Sequence, residues 1–179
     1  MTGVFILVLY QDIYIPIKNM SYRIGSGIDF HQLTEGRDLW IGGIQIPHSK
    51  GALGHSDADV LLHAICDALL GALCLGDIGV HFPDTDNSFK NIDSKILLAK
   101  CYTLIKEKGY CVVNADCTLC LEAPKIKSYV PLMQQAIAPL LSITVNDISI
   151  KATTTEKMGF IGKEEGLAAF ATVLLKKEL

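Results

Sequence analysis

Residues 56–73 constrain the fold most, because they are apolar nearly all round a predicted helix and still carry ionisable side chains. A helix of that composition is buried. Asp59 and His63 are four residues apart and share one face, and Asp67 follows one turn later. Buried carboxylates and imidazoles need partners, and a metal ion is a common partner. A solvated polar stripe is the alternative, and the apolar neighbours disfavour it.

A strand at residues 22–30 carries Asp29, and His31 follows two positions later. Alternate residues of a strand point to the same face, so this carboxylate and this imidazole lie side by side. A nitrogen from His63 would complete a set of three ligands, which is typical of catalytic zinc with an open fourth position. The Asp29–His31 pair and His63 are each weak evidence for a metal site when taken alone, because most residues in such patterns are ordinary polar residues. The residues alone therefore favour a metal site and a structural role about equally.

The size and composition fit one domain with surplus apolar surface. The chain has 179 residues, 50% of them hydrophobic, and surplus of that kind often ends in a subunit interface. The net charge of −3 gives no electrostatic footprint for nucleic acid. Six cysteines lie in periodic apolar segments, as expected for reduced thiols of an intracellular protein. Cys117 and Cys120 form a C-x-x-C motif with no second pair, so metal or redox use is a weak alternative.

Residues 1–19 are predicted to be an N-terminal extension outside the core, and residues 20–179 are predicted to form the domain. Residues 3–10 form an apolar run that is too short to span a membrane. No basic residue precedes the run and no small-residue cleavage site follows, which is atypical of a signal peptide. Met20 is the more natural start, and a targeting segment is the weaker alternative.

Strands and helices alternate along the rest of the chain without strict repetition, so we predict a single α+β domain with a mixed β-sheet packed against helices. Gly25 and Gly27 mark a point where a backbone or a ligand approaches the first strand closely. Gly42 and Gly43 are predicted to turn a hairpin. The predicted elements are strands at 22–30, 110–121, 148–154 and 167–175, a hairpin at 39–47, and helices at 56–73, from Asp93 or Ser94 to Gly109, and from Ser128 to Pro139.

The start of the first helix favours an anion. Free N–H groups at residues 54–57 and the helix dipole attract negative charge, and His55 adds a donor. Ser56 is predicted to cap this helix, with Asp59 completing a variant of the capping box. Capping alone also explains these residues, and the two interpretations are compatible.

Two later segments carry groups suited to a phosphorylated polyol. Residues 77–79 and 82–86 place three acids and a hydroxyl in one loop, although turn chemistry alone explains them better. Residues 151–157 contain three consecutive threonines that can cradle phosphate oxygens. Glu156 beside them is a hard ligand suited to magnesium or manganese. The β-propensity of threonine is the alternative there.

Ordered motifs of one family run from about Met20 to the end of the chain. They lie at residues 23–25, 27–31, 41–43, 55–59, 63, 67, 68–72, 75–79, 82–86, 123–125, 151–156, 159–160 and 165–166. Together they resemble the 2-C-methyl-D-erythritol 2,4-cyclodiphosphate synthase family of the non-mevalonate isoprenoid pathway. The resemblance implies a ferredoxin-like, chorismate-mutase-like arrangement and a homotrimer whose active sites lie at subunit interfaces. It also implies a cytoplasmic location, or a plastid-type organelle in a eukaryote.

The resemblance further implies two metal ions. Asp29, His31 and His63 would hold Zn²⁺, with the β-phosphate of the substrate in the open position. Glu156 would carry a second divalent cation, Mg²⁺ or Mn²⁺, between the two phosphorylated groups. The implied partner is a cytidine diphosphate substrate, with no nucleic acid and no membrane.

The implied catalytic residues are His55 and Thr154, which would flank the reacting phosphorus. The other implied contacts bind the methylerythritol phosphate, the cytidine diphosphate or the phosphates. They are Ser56, Asp77, Ile78, Gly79, Phe82, Pro83, Asp84, Thr85, Asp86, Ala123, Pro124, Lys125, Ile126, Lys127, Thr153, Thr155, Phe160 and Lys163. The family usually has arginine where this chain has Lys163, which acts as a point charge rather than a bidentate clamp. Glu122 would repel phosphates unless its carboxylate points away.

The implied activity converts 4-diphosphocytidyl-2-C-methyl-D-erythritol 2-phosphate to 2-C-methyl-D-erythritol 2,4-cyclodiphosphate and CMP by metal-assisted intramolecular phosphoryl transfer. One alternative is a metal-dependent phosphohydrolase that uses the same ligands to activate water. The other is a non-catalytic trimeric protein that binds diphosphates. Formation of a cyclic product separates the first interpretation from both alternatives.

Overall fold

The computed structural model describes residues 21–178, so the predicted extension at residues 1–19 lies outside the described residues. A five-stranded sheet has the order β4-β1-β7-β5-β6, and β2 and β3 form a separate hairpin. Neighbouring strands are antiparallel except for the parallel pair β5 and β6. The strands are β1 (Tyr22–Glu35), β2 (Leu39–Ile41), β3 (Ile44–Ile46), β4 (Lys50–Leu53), β5 (Tyr110–Cys120), β6 (Ile148–Thr153) and β7 (Gly166–Lys177).

The helices cover one face of this sheet. The first helix packs against β1 and β7 at the centre of the sheet, and the third helix packs against the first. The helices are α1 (Val60–Ala72), α2 (Ile78–His81), α3 (Ser94–Glu107), α4 (Val130–Ile137) and α5 (Gly159–Gly162). This arrangement confirms the predicted single α+β domain with a mixed sheet. Within residues 21–178, none of these helices has the length and apolar character needed to cross a membrane.

Two glycines of β1 bring α1 unusually close to the sheet. A Cβ atom on Gly25 would lie 1.9 Å from the carbonyl oxygen of Ala68, and one on Gly27 would lie 2.1 Å from that of Ala64. Only glycine fits at such distances, because any side chain would overlap the helix backbone. The close approach predicted at these glycines is therefore made by α1 itself. It sets the face of α1 that carries His63 directly over β1.

The start of α1 differs from the prediction. The helix begins at Val60 and is capped by Asp59, whose carboxylate accepts from the backbone N–H groups of the first turn. Ser56 instead accepts from the N–H of Ala58, which has a φ of 58° and so cannot continue a helix. The carboxylate of Asp59 also accepts from the N–H groups of Gly42 at 2.9 Å and Gly43 at 2.6 Å. Asp59 therefore ties the β2–β3 turn to α1.

Smaller differences concern the ends of elements. β1 extends to Glu35, and the short strand β4 was not predicted. Ser128 lies in a 3₁₀ turn that leads into α4, so it is not the helix cap. Pro139 follows the end of α4 as predicted, because a proline cannot donate the next helical hydrogen bond. Asp93, not Ser94, caps α3.

The face of the sheet opposite α1 exposes large apolar side chains. We call Ile24, Ile28, Phe30, Phe160 and Phe170 the outer apolar face; their exposed fractions range from 39% to 72%. The ring of Phe30 lies 6.2 Å from that of Phe160 and 6.3 Å from that of Phe170. Apolar patches of this kind on a sheet usually mark a contact surface.

Candidate metal and substrate site

Asp29, His31 and His63 form a compact triangle between β1 and α1. Asp29 Oδ2 lies 3.1 Å from His31 Nε2 and 3.1 Å from His63 Nδ1, and the two histidine nitrogens are 3.2 Å apart. The strand alternation places Asp29 and His31 on the same face, and the glycine contact brings His63 above them. The three side chains predicted from the sequence are therefore brought together.

The triangle fits a divalent metal ion. A tetrahedral ion with bonds of about 2.0–2.1 Å separates its ligands by about 3.3–3.4 Å, close to the observed separations of 3.1–3.2 Å. Three ligands of this kind would leave a fourth coordination position for a substrate oxygen. Two imidazole nitrogens and one carboxylate oxygen are ligands typical of catalytic zinc.

The charges around the two histidines differ. Burial lowers the pKa of His31 and outweighs the attraction of Asp29, so the neutral, metal-binding form of His31 is favoured. Burial also acts to lower the pKa of His63, but the hydrogen bond and charge of Asp29 raise it overall. The proton and a metal ion therefore compete for the Nδ1 atom of His63.

Behind His63 lies Ser94, which is bonded in turn to Asp57; neither contact was predicted from the sequence. The Nε2 atom of His63 is 3.0 Å from Ser94 Oγ, and Ser94 Oγ is 2.5 Å from Asp57 Oδ1. Ser94 also contacts Asp57 through its backbone N–H at 3.0 Å. No local signal could have revealed this contact, because a serine at the start of a predicted helix is expected there as a cap whatever its distant partners are.

A cavity of about 450 Å³ opens beside the triangle. It contains most residues predicted to bind the methylerythritol phosphate. Its lining includes His31, His55, Ser56, His63, Ile78, Gly79, Phe82, Pro83, Asp84 and Thr85. Phe89, Ile92 and Leu97 complete the lining and were not predicted. The Nε2 atom of His55 is buried and has no hydrogen-bond partner among the described residues, and His55 lines this cavity.

The loop over this cavity is fixed by backbone contacts. Asp67, one turn after His63, accepts from the N–H of Ile78 at 2.8 Å. Asp77 accepts from Val80 N–H at 3.0 Å, and Asp86 accepts from Ser88 N–H at 2.8 Å. Asp77 and Asp86 thus cap local turns, as the turn-chemistry alternative requires, and neither lines the cavity.

A second cavity of about 180 Å³ lies beside β6. It collects residues predicted for the nucleotide, with lysines and threonines at its wall. Its lining is Leu121, Glu122, Pro124, Lys125, Ile126, Lys127, Ala152, Thr153 and Thr154. Ala123 precedes Pro124, and Thr155 follows the lining threonines. We call this cavity, with Glu156, the nucleotide half-site, and the metal triangle with its cavity the metal half-site.

The carboxylate of Glu122 organises the loop beside this half-site. It accepts from the N–H groups of Thr155 at 2.9 Å and Lys157 at 3.2 Å. Desolvation acts to raise the pKa of Glu122, but these hydrogen bonds lower it overall. The carboxylate therefore binds the loop backbone. Glu156 accepts from the hydroxyl of Thr154 at 2.7 Å in the same loop.

One chain does not bring the two half-sites together. Phe30 is in register with Ala168, Ala168 with Cys120, and Cys120 with Thr153. Three strand spacings of about 4.8 Å separate β1 from β6 along this row, or about 14 Å. Thr154 and Glu156 therefore lie far from the metal triangle, although both half-sites are at the same end of the sheet.

The remaining predicted residues lie outside both half-sites. Phe160 lines a separate groove with Phe30 and His31 at the edge of the outer apolar face. Lys163 is exposed at the end of α5 and lines neither of the two cavities.

A cluster of metal-binding side chains opening onto a cavity of an α+β domain defines a candidate metalloenzyme. The chain belongs to the YgbB family, whose model matches residues 22–176. The 2-C-methyl-D-erythritol 2,4-cyclodiphosphate synthase of Bacteroides thetaiotaomicron is 62% identical over 159 residues, which cover 89% of this chain and 100% of the relative. These findings confirm the family inferred from the sequence motifs.

Solved structures show the same fold. The chain is 34% identical to the IspF–CDP complex from Plasmodium falciparum, with a TM-score of 0.78 and coverage of 89% of this chain and 98% of that chain. It is 43% identical to the bifunctional IspDF from Campylobacter jejuni, with a TM-score of 0.86. That match covers 89% of this chain and 43% of the longer protein.

Proposed function

We propose that this chain is a cyclodiphosphate synthase, a phosphorus–oxygen lyase of the non-mevalonate isoprenoid pathway. It converts 4-diphosphocytidyl-2-C-methyl-D-erythritol 2-phosphate into 2-C-methyl-D-erythritol 2,4-cyclodiphosphate and CMP. The observation that carries the proposal is the Asp29–His31–His63 triangle beside a substrate-sized cavity. It occurs in a chain whose relative of 62% identity bears that enzyme's name.

The reaction is an intramolecular phosphoryl transfer. An oxygen of the 2-phosphate attacks the β-phosphorus of the diphosphate arm, and a new P–O–P linkage forms. The bond from the β-phosphorus to the bridging oxygen breaks, and CMP leaves with that oxygen and its electron pair. Such chemistry depends on positioning and on neutralising charge, so no side chain needs to act as a nucleophile.

The side chains of the metal half-site have distinct tasks. Asp29, His31 and His63 would hold Zn²⁺, which supplies positive charge to a phosphate oxygen when bound. The unpartnered Nε2 atom of His55 would bind an adjacent phosphate oxygen, and Ser56 lies next to it at the cavity wall. The aromatic and aliphatic lining would keep water from the bound substrate, which would favour ring closure over hydrolysis.

The nucleotide half-site would hold the other end of the substrate. Lys125 and Lys127 offer positive charge at its wall, and Thr153 and Thr154 offer hydroxyl groups. Glu156, beside Thr154, would carry the second cation, because a carboxylate without nitrogen or sulfur ligands suits Mg²⁺ or Mn²⁺. The CDP complex of the Plasmodium relative supports a cytidine diphosphate ligand.

A homotrimer would complete the site. The half-sites of one chain lie about 14 Å apart along the sheet, so a neighbouring chain would have to bring its nucleotide half-site to the metal half-site. The outer apolar face provides a surface for such association. The family resemblance is the reason for proposing three chains. It also motivates the ferredoxin-like, chorismate-mutase-like arrangement, for which the helix-covered mixed sheet is consistent support.

Phosphorus NMR of the reaction products tests the activity. The protein is incubated with the cytidylylated substrate, Zn²⁺ and Mg²⁺, and a cyclic diphosphate and CMP are expected. Release of inorganic phosphate would identify a phosphohydrolase instead. Intact substrate after long incubation would identify a binding protein.

A variant pair tests the assignment of the metal ligands. His63→Ala is expected to lose zinc and turnover, because only two ligands of the triangle remain. His48→Ala is the control, since His48 belongs to neither half-site, and it should keep both properties. Stoichiometric zinc in purified His63→Ala would show that the ligand assignment is wrong.

A further inference from the structure

Ser94 and Asp57 hold the side of the His63 ring that faces away from the metal triangle. His63 Nε2 is 3.0 Å from Ser94 Oγ, and Ser94 Oγ is 2.5 Å from Asp57 Oδ1. The second carboxylate oxygen of Asp57 accepts from the backbone N–H of Ser94 at 3.0 Å. Ser94 is fully buried, so water does not compete for its hydroxyl.

The direction of each hydrogen bond follows from the groups involved. An ionised carboxylate only accepts, so the hydroxyl of Ser94 donates its single proton to Asp57. Ser94 Oγ is then left with lone pairs, which can only accept from the N–H at His63 Nε2. A neutral imidazole carries one N–H. With that N–H held at Nε2, the proton that Nδ1 shares with Asp29 is the one that a metal ion would displace, and Nδ1 would then offer its lone pair to the ion.

Ser56 is compatible with an N–H at Nε2, because its own hydroxyl proton can point to Ser94 Oγ at 3.4 Å. Its Oγ lies 3.1 Å from the same Nε2 atom of His63 and already accepts from the N–H of Ala58 at 3.0 Å. Two hydroxyl oxygens therefore lie beside Nε2, whereas the described residues beside Nδ1 are the two other members of the metal triangle, Asp29 and His31. A proton on Nε2 satisfies this environment and leaves Nδ1 for a metal ion.

We propose that Ser94, oriented by Asp57, is a positioning residue that fixes the tautomer and the ring orientation of His63 for metal binding. The inference rests on the proposed metal site but not on the proposed reaction. The hydrogen bond between Ser94 and His63 links α3 to α1, since Ser94 is the first residue of α3 and His63 lies in α1. A partner of this kind on a metal-binding histidine typically contributes about 10- to 100-fold in metal affinity.

A purely structural role for Ser94 makes different predictions. Asp93 caps α3 through its own side chain, and the backbone N–H of Ser94 binds Asp57 whatever the side chain is. Removing the Ser94 hydroxyl therefore leaves the start of α3 capped. A structural hydroxyl would change the stability of the protein without zinc but not its zinc affinity.

Chelator competition with Zn²⁺ alone measures the affinity of the full-length variants. Ser94→Ala is expected to bind zinc about 10- to 100-fold more weakly than the wild type. Asp57→Asn leaves one acceptor oxygen for both the hydroxyl and the backbone N–H of Ser94. It should therefore also weaken zinc binding. Thr103→Ala is the matched control, because Thr103 bonds only the carbonyl of Ala99 on an exposed part of α3. Equal affinities for Ser94→Ala and Thr103→Ala would overturn the proposal.

A measurement on the wild-type protein keeps the proposal testable if the variants do not fold. In ¹⁵N-histidine-labelled protein loaded with ¹¹³Cd²⁺, NMR is expected to show cadmium coupled to Nδ1 of His63 and a proton on Nε2. Cadmium coupled to Nε2, or an Nε2 without a proton, would overturn the proposal. Because neither measurement uses the substrate, failure of the proposed reaction in the product assay would remain separate.

Discussion

Replacing Gly27 by alanine would separate α1 from β1 and thereby open the metal triangle. The added Cβ atom would lie 2.1 Å from the carbonyl oxygen of Ala64, whereas real Cβ contacts are essentially never under 3.0 Å. The helix must therefore move by at least 0.9 Å, the difference between those distances. The contacted atoms are backbone atoms of Ala64 and Ala68 and the Cβ atom of Asp67, and none of them moves when a side chain rotates.

This displacement has a cost in stability and a cost in metal binding. Overpacking a well-packed core costs about 1–3 kcal/mol, and we expect about 3 kcal/mol because the contact lies between a central strand and the central helix. His63 moves with α1, which stretches its separation of 3.1 Å from Asp29 to about 4 Å. A tetrahedral zinc ion spans only about 3.4 Å between ligands, so zinc affinity should also fall.

Urea denaturation and chelator competition measure the two effects. Gly71→Ala is the control on the same helix, because its Cβ atom would lie 3.8 Å from the carbonyl oxygen of Ser26. Glycine is less favourable than alanine within a helix by about 0.8–1 kcal/mol, so Gly71→Ala should stabilise the protein. The usual overpacking cost is well above about 0.5 kcal/mol. If the free energy of unfolding of Gly27→Ala falls by less than that and its zinc affinity equals that of the wild type, the argument from close approach is refuted.

Four other predictions follow from the half-sites and the outer apolar face. Glu156→Gln should leave zinc content unchanged, as measured by metal analysis, and lower turnover by orders of magnitude at fixed Mg²⁺, because charge neutralisation by the second cation is lost. Light scattering of the wild-type protein should give about three times the 19.5 kDa chain mass. Phe170→Asp should give a smaller mass, because it places a charge in the outer apolar face. Burial acts to lower the pKa of His63, but Asp29 raises it overall, so a proton should compete with the metal ion at a higher pH than at an ordinary histidine, and chelator competition should show zinc affinity falling as the pH is lowered. A chain lacking residues 1–19 should retain its melting temperature and turnover; loss of either would show that the extension belongs to the functional unit.

The sequence predicted those features that depend on periodicity and local spacing. The alternation of β1 placed Asp29 and His31 together, and the apolar surroundings of His63 required that α1 be buried. Gly25 and Gly27 signalled a close approach because no strand needs two such residues for pairing. These signals are contained in short segments, so no knowledge of the tertiary structure was required to read them.

Features that depend on distant partners could not be predicted in this way. Asp59 caps α1 and also binds the β2–β3 turn, but only the packed structure shows that Gly42 lies within its reach. The contact of Ser94 with His63 likewise joins two helices that are remote in sequence. The distance between the half-sites could be predicted only from the strand order, because β7 lies between β1 and β5.

The pairing of β1 with β7 determines when the domain can fold during synthesis. These strands come from opposite ends of the described chain, with Tyr22 paired to Lys176, yet they are neighbours within the sheet. Until β7 leaves the ribosome, β1 with β4 and β5 with β6 remain two separate pieces with open edges. Pairings of such large sequence separation form slowly. A nascent chain that stops before Gly166 can therefore bring α1 against β1, but it cannot close the sheet on which both half-sites depend.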